Sequence, residues 1–122
     1  MPDRKTLLSR LVVGDAFHAT GPTGASLICL TVSVTETTIQ ARRVTTQEAL
    51  EFDRQTGIEK CDDGRVSRID SVAPLPQAVL NVILGIDRKY RLLQDPEQGK
   101  LTDAAIRALA VYVGPHYASN PL

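Results

Sequence analysis

His18, His116, Cys29 and Cys61 are the side chains of this 122-residue chain best suited to hold a soft metal or to pair as nucleophile and base. None stands at the Cys-x-x-Cys or His-x-x-x-His spacing that lets one loop or one helical turn present two ligands to zinc. A small enzyme would need His18 or Cys61 brought against a carboxylate in space. Asp53, Asp62, Asp63 and Asp70 supply the carboxylates for acid–base or metal work. Asp62-Asp63-Gly64, however, reads better as a turn whose side chains cap their own backbone, and the sequence has no calcium-loop pattern. Gly21-Pro22-Thr23-Gly24 lacks the Gly-Lys-Ser/Thr ending and following helix of a phosphate loop and reads as a structural turn. Spacing alone assembles no catalytic constellation. A non-enzymatic protein with no cofactor and no metal is therefore expected.

The remaining chemistry-bearing group is basic. Arg42, Arg43, Arg54 and Arg68, with Arg65 nearby in sequence, form the candidate surface for a nucleic acid or another ligand. Two features weigh against a dedicated nucleic-acid binder. The formal net charge is zero, with nine Lys/Arg against ten Asp/Glu in residues 1–73 and five against four in residues 74–122. Such binders usually carry a positive excess that neutralises phosphates. The chain also has no Trp, two Phe and three Tyr, too few for an obvious base-stacking platform. Glu36, Glu48, Glu51 and Glu59 are available to pair the arginines across strands.

These residues must be positioned by an α+β fold. A helical turn is expected within residues 3–11, where Leu7, Leu8 and Leu11 share a face. Period-two alternation then begins. Asp15 to Thr20 puts Phe17 and Ala19 opposite His18 and Thr20. After the Gly21–Gly24 turn, Ala25 to Thr35 sets Ile28, Leu30, Val32 and Val34 on an aliphatic face, against Cys29, Thr31, Ser33 and Thr35. Thr38 to Thr46 is its partner, with Ile39 and Ala41 inward. A bulge between Arg42 and Val44 is expected there, because it buries Val44 and leaves both arginines in water. Ala49 to Asp53, a glycine hairpin at 54–57, Ile58 to Cys61 and Arg65 to Ile69 complete five or six short strands.

From Pro76 the period changes to that of a helix. Val79, Ile83, Ile86, Tyr90 and Leu93 recur at steps of four and three, and Asp87 and Arg88 fall on the opposite side. Gly85 within this helix implies close packing. Residues 94–100 form a loop. A second helix begins after Thr102, buries Ile106, Leu109, Ala110 and Val113, and is stopped by Gly114-Pro115. The whole is a single domain, 1–122, with a β-barrel part at 12–72 and a helical part at 75–114. No run approaches the ~20 apolar residues of a membrane span, and residues 7–13 hold no signal-peptide core. A cytoplasmic protein that does not enter membranes is expected.

Gly14-Asp15-Ala16-Phe17 opening a strand, the long bent hairpin from Ala25 to Thr46 and the short strands before Ile69 make residues 12–72 similar to small SH3-like barrels. That resemblance implies a binding module for peptides, RNA or partner domains, without the aromatic-lined groove of the peptide binders. The expectation is an interaction or adaptor module that binds a protein partner or a second copy of itself. Val79, Ile83, Ile86, Tyr90, Ile106 and Leu109 are the candidates for self-association, unless the same helix instead caps the barrel. Nucleic-acid binding through the arginines is the alternative, and a small enzyme the second alternative.

Overall fold

A computed structural model describes residues 4–44, 46–60, 64, 66–72, 75–92 and 103–118. The order is α1 (Arg4–Ser9), β1 (Ala16–Thr20), β2 (Ser26–Val34), β3 (Thr38–Arg43), β4 (Ala49–Asp53), β5 (Arg68–Ser71), α2 (Gln77–Leu92) and α3 (Asp103–Ala118). The five strands form one antiparallel sheet in the order β4-β3-β2-β1-β5. The expected last strand at 65–69 is shifted onto β5, and Ile58 and Glu59 contribute only single bridges. No helix of the described residues is long and apolar enough to cross a membrane.

The sheet curls into a half-barrel. β1 and β4 are three strand spacings apart, which would separate them by about 14 Å in a flat sheet. Yet Phe17 of β1 and Phe52 of β4 meet edge to face with ring centroids 5.6 Å apart. The concave side therefore holds a core of Leu8, Leu11, Phe17, Ala19, Leu27, Cys29, Ile39, Ala41, Leu50, Phe52 and Ile69. Residues 57–60 run between the outer strands and bond to both sides. Ile58 O accepts from Asp53 N and Lys60 N donates to Glu51 O. On the other flank Glu59 N donates to Ser67 O, and Gly57 O accepts from Ile69 N. The Gly57 amide follows the turn at φ +73°, the conformation for which glycine is suited there.

Part of the opposite face is also dry, around the middle of β2, while Gln40, Ala49 and Glu51 on that face stay exposed. Ala16, Ile28, Leu30 and Val44 pack under α2 and α3 with Val79, Ile83, Leu109, Val113 and Tyr117. This corrects the expected one-sided β2: Leu27 and Cys29 enter the concave core, while Ile28 and Leu30 face the helices. The expected bulge is also elsewhere. The register slips in β2 between Thr31 and Ser33, and that slip brings Val34 to the concave core and leaves Val32 exposed. β3 stays regular. Ile39, Ala41 and Arg43 point to one side and Arg42 and Val44 to the other, so Val44 is buried without any bulge of its own. β4 and the start of β3 keep a wet side, at Gln40, Ala49 and Glu51; Arg42 and Arg43 are both half-buried, so neither is left in open water.

Two helix expectations change as well. α3 does not stop at Gly114-Pro115 but continues to Ala118. The carbonyl that Pro115 leaves without an amide is that of Val111, whose residue is 77% exposed, so the lost bond falls on the solvent side of the helix. Beyond the proline, Tyr117 is 3% exposed and anchors the added turn in the second core. Gly85 has no neighbour within 4 Å of where a Cβ would stand, so close packing does not explain it. Gly85→Ala is therefore expected to stabilise the protein by about 1 kcal/mol, read as a melting temperature about 4 °C higher. An unchanged or lower melting temperature would contradict this account of α2.

Candidate functional site

The arginines occupy separate places. Arg42 reaches across to α2, where Nε and Nη2 each donate to one oxygen of Asp87 at 2.8 Å. Gln47 Nε2 donates to the same carboxylate at 3.0 Å and to Val44 O at 3.1 Å. Gln47 holds φ +62°, a left-handed conformation that turns its side chain into this clamp. Asp87 is 4% exposed, contrary to its expected place on the wet side of the helix. Facing the second core, it is tolerated there because a bidentate guanidinium and an amide satisfy it.

Arg54 is equally engaged. Nη1 donates to Thr35 O at 2.6 Å, and Nη2 donates to Ser9 O at 2.8 Å and Leu11 O at 3.2 Å. It ties the end of α1 to the turn between β2 and β3. Arg43 sits beside Cys29 on the concave side, with a buried Nε that has no hydrogen-bond partner among the described residues. Arg68 alone of the four is exposed, on β5; Arg65 lies outside the described residues.

Other candidates are placed as follows. Cys29 is fully buried, and burial pushes its thiol up to about 12, which keeps it protonated and unreactive. Cys61, Asp62 and Asp63 lie outside the described residues. Asp53 Oδ1 accepts from the amides of Gln55 and Thr56, and these bonds hold its carboxyl below the usual range. Among the described residues no three His, Cys, Asp or Glu side chains form a metal cluster. Of the self-association candidates, Val79, Ile83 and Leu109 are buried against the sheet and Ile86 is partly buried with them. The helices therefore cap the sheet with these residues. The side chains of Tyr90 and Ile106 lie outside the description.

One catalytic-type grouping does form, on the helix-facing side at the β1–β2 hairpin. His18 of β1 lies between Asp70 of β5 and Ser26 of β2. Its Nδ1 is 2.5 Å from Asp70 Oδ1, and its Nε2 is 3.1 Å from Ser26 Oγ. Thr20 Oγ1 donates to Asp70 Oδ2. Burial raises the Asp70 carboxyl, but hydrogen bonds from His18 and Thr20 outweigh it, and the net displacement is downward. Asp70 is thus a carboxylate that only accepts. In the neutral ring Nδ1 then carries the proton, and the Nε2 lone pair faces the Ser26 hydroxyl. Tyr117 of α3 covers the ring, with centroids 5.5 Å apart. Its buried hydroxyl has no hydrogen-bond partner among the described residues. Ser26 is exposed.

Sequence inspection singled out His18 and Asp70 but not Ser26. The hairpin register was the available signal: with Thr20 opposite Ser26, the same-face diagonal neighbour of Ser26 is His18. The β1–β5 pairing that delivers Asp70 spans 50 residues and leaves no local mark.

No family model matches the chain, and neither a characterised protein nor a solved structure is significantly similar to it. What the site does must follow from its own geometry.

Because Asp87 is buried, Arg42→Ala is expected to destabilise the protein by about 3 kcal/mol by leaving a carboxylate short of its charge partner. The double variant Arg42→Leu/Asp87→Leu should recover most of that loss. Urea unfolding of the two variants checks this; a loss below about 0.5 kcal/mol for Arg42→Ala would show the pair to behave as an ordinary surface contact.

Proposed function

We propose that this chain is a small cytoplasmic interaction module, an SH3-like barrel with helical appendages, that pairs with a second copy of itself through α3. The barrel assignment is supported by the strand order, a β1–β4 meander with β5 returning beside β1, and by the bonds of residues 57–60 to both outer strands. Fold likeness alone assigns no role.

The observation that carries the pairing is that α3 is apolar on two sides. Leu109, Val113 and Tyr117 face the sheet. On the other side Ala104, Ala108, Val111 and Tyr112 are exposed, Val111 at 77% and Tyr112 at 49%, with Arg107 as the one charged residue exposed among them. A helix with an apolar stripe on each of two sides has a second face to cover, and Arg107 can keep its charged end in water at the edge of that stripe. The exposed stripe runs from small to large along the chain. An antiparallel copy related by a two-fold axis sets Ala104 against Tyr112 and lets the backbones approach at Ala108, which makes the stripe complementary to itself. One helix face is smaller than the roughly 800 Å² per partner of a standard interface, so the pairing is weak, with a dissociation constant on the order of 100 µM.

Sedimentation velocity over rising concentration tests the proposal. The mass should climb from 13.3 kDa toward twice that value, and Val111→Asp should hold it at the monomer. A protein that stays monomeric to about 1 mM, or a dimer indifferent to Val111→Asp, overturns it.

A further inference from the structure

We propose that Ser26 is a base-activated nucleophile whose general base is His18, held by the positioning residues Asp70 and Thr20, and that it acts on small activated carboxylic esters. The inference is independent of α3 pairing and goes beyond a purely non-catalytic module.

Three observations carry it. The atoms stand in working order: carboxylate to Nδ1 at 2.5 Å and Nε2 to hydroxyl at 3.1 Å, both within the reach that proton transfer requires. The depressed carboxylate fixes the tautomer that presents a lone pair to the hydroxyl. The third is exposure: the His18 side chain is only 15% exposed, while Ser26 opens to solvent beside it. The hydroxyl bonded to the ring nitrogen that Asp70 leaves free is thus the member of the network that a solute can reach.

The substrate class follows from the surroundings. Ser26 opens the strand directly after the exposed turn residues Pro22 to Ala25, which suits a small, unhindered acyl group. A good leaving group lowers the demand on stabilising the developing oxyanion. In the step, Ser26 Oγ bonds to the ester carbonyl carbon as its proton passes to His18 Nε2. The carbon–alkoxy bond then breaks, and the alkoxide takes that proton and departs as the alcohol. Water, deprotonated by the same nitrogen, attacks the acyl-serine, releases the carboxylic acid and restores the hydroxyl.

The full chain treated with a fluorophosphonate probe, followed by peptide mapping, tests the proposal. Ser26 should carry the label, and Ser26→Ala should abolish it. His18→Gln should slow labelling about 100-fold, with folding checked by circular dichroism. Asp70→Asn should slow it at least about 10-fold and shift the His18 proton to Nε2 in the imidazole nitrogen-15 spectrum; this variant carries the comparison if His18→Gln unfolds. Hydrolysis of p-nitrophenyl acetate should fall in parallel. An unlabelled Ser26 after prolonged exposure, or labelling at an unchanged rate in either folded variant, overturns the proposal.

Discussion

Everything in this fold depends on β2 being buried on both faces. An antiparallel strand usually keeps one side in water. Here Leu27 and Cys29 fill the inside of the curl while Ile28 and Leu30 form the floor on which α2 and α3 rest. A 122-residue chain thereby builds two cores around one sheet instead of a single barrel with loose appendages. The helices are structural partners of the sheet, and polar groups caught between the layers must be satisfied there, as Asp87 is by Arg42 and Gln47.

The same layering accounts for the His18 grouping. β1 also has two covered faces, with Phe17 and Ala19 inside and Ala16 on the helix side. His18 is on the helix side, where Tyr117 shelters one face of its ring, near the hairpin end at which the apolar floor gives way to Ser26 and Thr20. An imidazole at such a border is shielded, at 15% exposure, while the hydroxyl it meets on Ser26 stays exposed. Arg54, away from this grouping, pins the end of α1 to the β2–β3 turn.

Much of this architecture was legible in local chemistry. The Gly21–Gly24 turn, the glycine at position 57, the switch from period two to period 3.6 near Pro76 and the inward set Phe17, Ala19, Ile39 and Ala41 all depend on neighbours within a few residues. What was not legible depends on distant partners. Alternation in β2 shows two classes of side chain but not that both are buried, since threonine and cysteine sit on one class and pure aliphatics on the other. Asp87 looks solvated until Arg42, 45 residues away, is known to meet it. Pro115 resembles a helix stop until Tyr117 is seen to hold the following turn. Ser26 becomes conspicuous only when Asp70 arrives from β5 and orients the histidine between them.

Two-sided burial also changes how this chain guards against misfolding. In a half-wet strand, a slip of one residue drives apolar side chains into solvent and is rejected by water itself. A slip in β2 would merely exchange one oily layer for another, so solvent is a poor proofreader of its alignment. Fidelity then falls to the short link before it, where Gly24 at φ +85° closes the loop onto Gly21 and fixes Thr20 opposite Ser26. An L-residue at position 24 would tax that left-handed corner, and the damage would surface as mispaired strands during folding as well as a weaker turn.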